Sequence, residues 1–515
     1  MNSFMKRTLL IFSLFLSTAF ALFAQEPNKY SLEPCGTAPY TDPWLAEYLA
    51  NPNTRTFSRT DDTLYVGMQV HLVARDNGSG RFTPSRLLDA FCTLNNDYAP
   101  SGVQFFFKYD WNLINNTSYF DHDDILTGID MMYENDVEDA LNIYFCSNPA
   151  GNCGYNVPYA SIAMGNGCSG PADHTWAHEI GHAFTLQHTF LGWEGVFYNF
   201  SVPTPDTLLY DYTHFHAEPD TIVPAPLDTA LTEYNDFSNC YQAADKFCDT
   251  PPDYLAYRWD CDVNNMSFVK QKDPDGNEFY SDGTFFMSYA DDVCSNRFSD
   301  EQIQALRANI LAVKQDWLSD TPGGNPVDGV ANLASPIAGA SAPSSNVSFH
   351  WNSVQDATHY LLQASRFSTF SIIELDVVAS DTFYVGGNFS PNKTYYWRVR
   401  PFNNTYTCTD FGEKESFKTD LASHVSSADA SGFRYYPSLI RRGIPLTLEL
   451  PEAWINQEVQ MACYDLTGRQ VWTGTSNFVQ QTERLNLPDA LQEPGVYRLV
   501  LRTQKESKTI SLVLN

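Results

Sequence analysis

The chain has 515 residues, 43% of them hydrophobic and 18% charged, which excludes a disordered polypeptide and leaves room for two to four domains. Its 61 acidic residues against 31 basic ones give a formal net charge of −30, which excludes nucleic acid and anionic membrane surfaces as expected partners. The aromatic share of 14% suits β-rich modules better than helical bundles.

The N-terminus carries Lys6 and Arg7, then the apolar run Leu9–Leu16, then Ala19-Phe20-Ala21, with Ala24 before Gln25 as a second cleavage candidate. This is the pattern of a signal peptide over 1–24, its apolar run too short to span a membrane. No later stretch has 18 consecutive apolar residues, so no transmembrane segment is expected in the mature chain. Residues 25 to about 59 are polar and show little periodicity. From Leu64 to Val73 the text is strand-like. Ser85 to Ala99 has helical spacing, and 103–107 and 141–145 read as strands, so an α/β subdomain is expected. A Pro- and Asp-rich stretch over about 195–235 predicts a long loop, either lining a cleft or passive. Ser299-x-x-Gln302 is a capping box that opens a helix to about Leu318, and 320–326 is a linker. Two all-β segments follow, at 331–420 and 433–515, with strands expected at 347–351, 359–363 and 395–400, then near 457–464, 496–502 and 509–514. Eleven cysteines fit an exported, oxidising setting. With Cys35 set aside, the eight before residue 300 suffice for four disulfides of unspecified pairing. The scattered acids read as a solvated surface or, in places, as calcium ligands.

The chemistry is concentrated in His174-Thr175-Trp176-Ala177-His178-Glu179-Ile180-Gly181-His182-Ala183-Phe184-Thr185-Leu186-Gln187-His188. In a helix, residues four apart share a face, so His178 and His182 can hold one metal ion. Zinc there activates a water and polarises a peptide carbonyl, while Glu179 takes the proton and returns it to the leaving amine. His188 is the expected third ligand, placed where the chain can leave the helix and fold back. His174 is a competing ligand candidate, and a carboxylate as third ligand is a further alternative.

This segment resembles the metzincin pattern H-E-x-x-H-x-x-G-x-x-H, and more narrowly the pappalysin family with its cytophagalysin branch. His188-Thr189-Phe190, Phe247-Cys248-Asp249-Thr250-Pro251-Pro252-Asp253, Phe286-Met287-Ser288-Tyr289 and Phe298-Ser299-Asp300-Glu301-Gln302 carry the likeness over roughly 64–318. The resemblance implies a metalloprotease domain over 60–320, Met287 as the residue of the turn beneath the zinc, and Tyr289 as a stabiliser of the oxyanion. It also implies structural calcium, for which Asp245, Asp249, Asp253, Asp291 and Asp292 are candidates beside the reading as plain surface acids. Cys35-Gly36-Thr37 resembles a cysteine switch, which implies a pro-segment over 25–59, Cys35 as a latent-state zinc ligand, and cleavage after Arg55 or Arg59. A disulfide at Cys35 is the alternative. One departure matters: Thr185 stands where the pattern has Gly, so either the turn differs or strain is accepted.

Residues 331–420 resemble a fibronectin type III domain through Trp351, Ala357-Thr358-His359-Tyr360 and Tyr395-Tyr396-Trp397-Arg398-Val399-Arg400-Pro401, implying a spacer or a binding module. Residues 433–515 resemble the sorting domain of type IX secretion through Tyr464-Asp465-Leu466-Thr467-Gly468-Arg469, Pro494-Gly495-Val496-Tyr497-Arg498-Leu499 and Lys508–Leu514. That implies the type IX secretion machinery as a partner and export through the periplasm and outer membrane to the surface or medium. The expected fold class is therefore multidomain: an α/β (α+β) metzincin-like zinc protease domain followed by two all-β sandwich domains. The expected function is a secreted zinc metalloendopeptidase acting on proteins or peptides. The alternative is a surface adhesin carrying an inactive protease-like domain.

Overall fold

The computed structural model describes residues 32–39, 42–51, 62–158, 161–210, 228–420, 434–436, 439–440, 446–465, 469–485, 495–503 and 507–514. The signal-peptide region and the candidate cleavage points Arg55 and Arg59 lie outside the described residues.

The chain begins with α1 (Pro43–Ala50), started by Asp42, whose side chain accepts from Trp44 N. A sheet follows, built from β1 (Leu64–Ala74), β2 (Val103–Phe107) and β3 (Asn112–Asn115), with α2 (Pro84–Tyr98) crossing between β1 and β2. After α3 (Thr117–Phe120), β4 (Asp121–His122) and α4 (Ile125–Asn135) come β5 (Leu141–Cys146), β6 (Asn148–Pro149), β7 (Gly154–Asn156) and β8 (Ile162–Gly165). Strands β2, β3 and β5 all pair parallel to β1, β8 pairs parallel to β5, and β7 runs antiparallel at the edge. Nine of the eleven residues of β1 are buried. A parallel strand covered on both faces needs such a near-continuous apolar run.

Then come α5 (Thr175–Ala183), β9 (Thr207–Tyr210), β10 (Asp228–Leu231), β11 (Met266–Lys272), β12 (Glu278–Asp282), α6 (Asp300–Val313) and β13 (Leu318–Ser319). The stretch expected as a plain loop over 195–235 carries the antiparallel pair β9–β10. The capping box at Ser299 and Gln302 is formed at both hydrogen bonds. The helix it opens stops at Val313, short of Leu318, because Leu318 and Ser319 turn extended to pair with Val66 and Tyr65 of β1.

The next strands are β14 (Leu333–Ser335), β15 (Ala340–Ala342), β16 (Ser345–Trp351), β17 (His359–Ser365), β18 (Leu375–Ala379), β19 (Phe383–Asn388), β20 (Thr394–Phe402) and β21 (Glu415–Thr419). Strand β17 lies between β18 and β20, both antiparallel to it. Phe349, Trp397 and Phe417 pack together in the interior. By compactness, residues up to 340, 348–386 and 394–417 form one unit. Within it the β-module is joined to the α/β layer by a Cys92–Cys408 disulfide, a 2.5 Å ion pair from Arg400 to Asp89, and a 2.6 Å hydrogen bond from Ser85 Oγ to Asp376. Leu361 and Phe402 of the module belong to the same apolar core as Leu88 and Phe105.

The other disulfides are Cys153–Cys168, Cys240–Cys248 and Cys261–Cys294. Pairing thus departs from four bridges among the eight cysteines before residue 300. Cys92 reaches forward to Cys408, and Cys146 stays free, buried on β5 as a small apolar group whose thiol donates to Met164 O.

The second unit holds 341–347, 387–393 and 418–515. Its strands include β22 (Arg434–Tyr436), β23 (Leu439–Ile440), β24 (Leu446–Glu449), β25 (Glu458–Tyr464), β26 (Gln470–Asn477), β27 (Thr482–Leu485), β28 (Gly495–Arg502) and β29 (Ser507–Leu514). They form two sheets, ordered β22-β24-β27 and β23-β29-β28-β25-β26, around Trp454, Leu448, Cys463 and Leu499. Along β25 burial alternates residue by residue, as expected of a strand with one face on the core.

Candidate metal centre

Helix α5 presents His178 and His182 one turn apart, and the chain then reverses to bring back His188. The reversal is a Schellman turn: Leu186 N–H donates to Gly181 O at 2.9 Å and Thr185 N–H to His182 O at 2.9 Å. That motif requires a left-handed residue, and Thr185 supplies it at φ 75°. Strain is therefore accepted rather than the turn changed. The buried hydroxyl of Thr185 has no hydrogen-bond partner among the described residues.

His182 Nε2 lies 3.1 Å from both His178 Nε2 and His188 Nε2, and 3.7 Å from Cys35 Sγ. The four ligand atoms all fall within 4.8 Å of one another. Each imidazole is aimed by its other nitrogen. His178 Nδ1 donates to Phe286 O at 2.6 Å, His182 Nδ1 to Leu186 O at 2.8 Å, and His188 Nδ1 to Glu194 Oε1 at 3.2 Å. Outward hydrogen bonds of this kind fix the tautomer that leaves Nε2 unprotonated and inward. Burial pushes His178 and His188 down to about 3, and His182 well below the usual range, so all three are neutral. Three neutral imidazoles and a sulfur crowded together, with no counter-charge among themselves, are a metal's donor set rather than a packing solution. Nitrogens about 2.0–2.1 Å from a tetrahedral zinc stand about 3.3 Å from one another, so the spacing fits that ion.

Glu179 is fully buried, and its Oε1 has no hydrogen-bond partner among the described residues. Its other oxygen accepts from Thr37 Oγ1 at 2.9 Å. Burial raises the carboxyl to about 8, opposed by hydrogen bonds from Cys35 and Thr37. Gly154 of the edge strand leaves the room: a Cβ there would sit 2.8 Å from Glu179 Cγ. Met287 is fully buried beneath α5, and a Cβ on Gly181 would lie 2.5 Å from its sulfur. The Tyr289 hydroxyl donates to Cys35 O at 3.3 Å, and its ring centre is 4.9 Å from that of His188.

Cys35 is free and buried. Burial, then the charge of Glu179, raises its thiol well above the usual range, which a metal ion at the sulfur would reverse. Its segment is held by backbone bonds: Glu33 N to Gly151 O at 3.0 Å, Cys153 N to Glu33 O at 2.7 Å, and Gly36 N to Gly154 O at 2.8 Å.

His174 is not drawn into the group; its Nδ1 pairs with Asp97 at 2.8 Å. Nor do the five calcium candidates come together as one set of ligand atoms among the described residues. Asp253 is an internal tether instead, accepting from Thr189 Oγ1, Ser288 Oγ, Ser281 Oγ and Leu255 N. Asp245 accepts from Phe247 N, Thr250 Oγ1 and Gln302 Nε2, Asp249 from Glu301 N, Asp291 from Asp292 N, and Asp292 from His174 N. Sequence reading missed Glu194, Thr37 and the tethering role of Asp253. An acid six residues beyond His188 was the only available hint of the first.

No protein-family model matches the chain. It is similar to a protein named Extracellular metalloprotease from Pyricularia oryzae, at 28% identity over 200 residues, covering 35% of this chain and 68% of that protein. It is also similar to Extracellular metalloprotease 1 from Coccidioides posadasii, at 26% identity, covering 34% of this chain and 72% of that protein. Among solved structures, Tannerella forsythia promirolysin mutant E225A aligns at a TM-score of 0.37 and 14% identity, over 55% of this chain and 96% of that one, a likeness too slight to argue from. No helix among the described residues is long and apolar enough to cross a membrane.

Proposed function

We propose that this chain is a secreted zinc metalloendopeptidase, held latent by its own N-terminal segment. The observation that carries the reading is the convergence of His178, His182 and His188 beside the buried, half-unpartnered carboxylate of Glu179. The similarity to proteins named extracellular metalloproteases supports it. When bound, zinc supplies the Lewis acidity that activates water and polarises the scissile carbonyl. The three imidazoles hold the ion. Glu179 takes a proton at its free oxygen and returns it to the leaving amine. Tyr289, adjacent to His188, donates its hydroxyl to the negative charge developing on the substrate oxygen once it is released from Cys35 O. Met287 is the floor beneath α5. Cys35 is the latent-state ligand, and Thr37 of the same segment donates to the other oxygen of Glu179.

The wider reading assigns 1–24 to a signal peptide, 25–59 to the pro-segment, 60–320 to the protease domain, 331–420 to a fibronectin-like module and 433–515 to a type IX sorting domain. The two-sheet architecture of the C-terminal unit supports the last assignment. The deciding experiment is hydrolysis of denatured casein by the activated chain, beside Glu179→Ala and a chelator-treated sample. Cleavage by the wild type alone, with zinc retained in Glu179→Ala, is the expected result. A wild type that binds zinc and cleaves nothing refutes the protease reading in favour of a binding protein.

A further inference from the structure

The C-terminal end of α5 opens onto a pocket that the chemistry above does not use. Its lining includes His182 and Thr185, with Lys314 and Trp317 from the end of α6, and with Thr37 and Asp42 from the N-terminal segment. Lys314 is half-buried, its ammonium 4.4 Å from the centre of the Trp317 ring. It makes no ion pair among the described residues, although the chain carries a formal charge of −30. Burial lowers its pKa, and the one carboxylate whose charge opposes that shift is Asp42.

Asp42 is part of the segment that also fills the metal centre with Cys35. A single stretch thus blocks the metal, engages the general base through Thr37, and sets an acid in the side pocket. Once that stretch leaves, Lys314 loses the carboxylate whose charge favours its protonated form, in a pocket wall that also holds the metal-ligand candidate His182. A carboxylate brought by a ligand restores that attraction.

We propose that Lys314 and Trp317 form a substrate subsite beside His182 that takes an acidic side chain, in a pocket whose wall includes Asp42 in the latent chain. The inference rests on the peptidase reading and names its substrate class: peptides with Asp or Glu at the one position lying against Lys314. Trp317 contributes the apolar wall against which the methylenes of that side chain pack.

The test is a fluorogenic peptide library read with the full chain after activation, as wild type, Lys314→Ala, Lys314→Arg and Lys314→Glu, each zinc-loaded. The wild type is expected to favour Asp or Glu over Ala at one position by about tenfold in kcat/KM. Lys314→Arg keeps that preference, and Lys314→Ala loses it, its kcat/KM on the acidic peptide falling to that on the Ala peptide. Lys314→Glu turns the preference toward Lys or Arg. Thermal unfolding beside each assay separates a misfolded variant from a changed subsite, and Lys314→Arg keeps the test intact if Lys314→Glu misfolds. A wild type that cleaves the library but whose acidic-to-neutral ratio is the same in all four proteins overturns the subsite and leaves the peptidase reading standing. A zinc-loaded wild type that cleaves no peptide overturns the peptidase reading itself, and the subsite with it.

Discussion

Thr185→Gly is expected to stabilise the protein, and the size of the effect follows from the turn after α5. A non-glycine residue held in the left-handed region costs about 1–3 kcal/mol. The buried hydroxyl without a partner adds about 1 kcal/mol. Against these gains, glycine loses about 0.5–1 kcal/mol of chain entropy and about 0.8 kcal/mol for the buried methyl. The balance is a gain of about 1–2 kcal/mol. Thr185→Ala separates the causes. It removes the hydroxyl and the methyl, which nearly cancel, but keeps a Cβ at φ 75°. Glycine should therefore exceed alanine by about 1 kcal/mol, a difference of about 2–4 °C in melting temperature for a domain of this size. Differential scanning calorimetry of the three proteins, each with zinc bound, measures it. If Thr185→Gly melts at or below Thr185→Ala, the turn is not strained in the way argued.

Other changes test the surroundings of the centre. Gly181→Ala puts a methyl 2.5 Å from Met287 Sδ and should cost about 1–3 kcal/mol by overpacking, read as a lower melting temperature. Glu194→Ala removes the partner of His188 Nδ1 and should weaken zinc binding by about 10–100-fold in a chelator competition. Breaking Cys92–Cys408 with paired serines opens a 316-residue loop and should cost about 3–5 kcal/mol in thermal unfolding. Burial, reinforced by Asp245 and Asp253, raises Glu233 to about 10. The folded state therefore holds a proton that the unfolded state releases above about 4.5, and this contribution to stability falls as pH rises from there toward about 10. Glu233→Gln should flatten that decline in melting temperature measured from pH 5 to 9.

The legible parts of the sequence were those fixed by short-range rules. Periodicity marked β1 and α2, and the capping box at Ser299 marked the start of α6, because each depends on residues within one or two turns. The His178–His188 text carried the centre for the same reason: helix spacing alone puts two imidazoles on one face. Illegible were the features fixed by contacts across the chain. Nothing local reveals that Cys92 bonds Cys408, or that Asp253 gathers hydroxyls from Thr189, Ser281 and Ser288. The aspartates of the 245–253 segment read equally as calcium ligands or surface acids, because sequence does not show how many internal donors each carboxylate receives. Thr185 shows the limit from the other side. The departure from glycine was visible, but the choice between a new turn and a strained one depended on His182, whose Nδ1 uses the carbonyl that this turn presents.

The N-terminal segment packs on the α/β layer through more than its cysteine. Leu45, Tyr48 and Leu49 of α1 are buried in the same core as Phe184 and Leu306. At about 1.5–3 kcal/mol each, those side chains contribute about 6 kcal/mol, comparable with the about 4–15 kcal/mol that association of a freed peptide costs. Apolar burial alone thus leaves a cleaved segment near the balance point, and on the proposed reading a bond from Cys35 to zinc decides the outcome. A cut after Arg55 or Arg59 should release the fragment slowly while zinc is present, activation being complete once it has left. In Cys35→Ala, or after chelation, it should separate on size exclusion. If the wild-type fragment separates as readily as that of Cys35→Ala, with zinc bound in both, the sulfur contributes nothing to latency and α1 is the whole of the restraint.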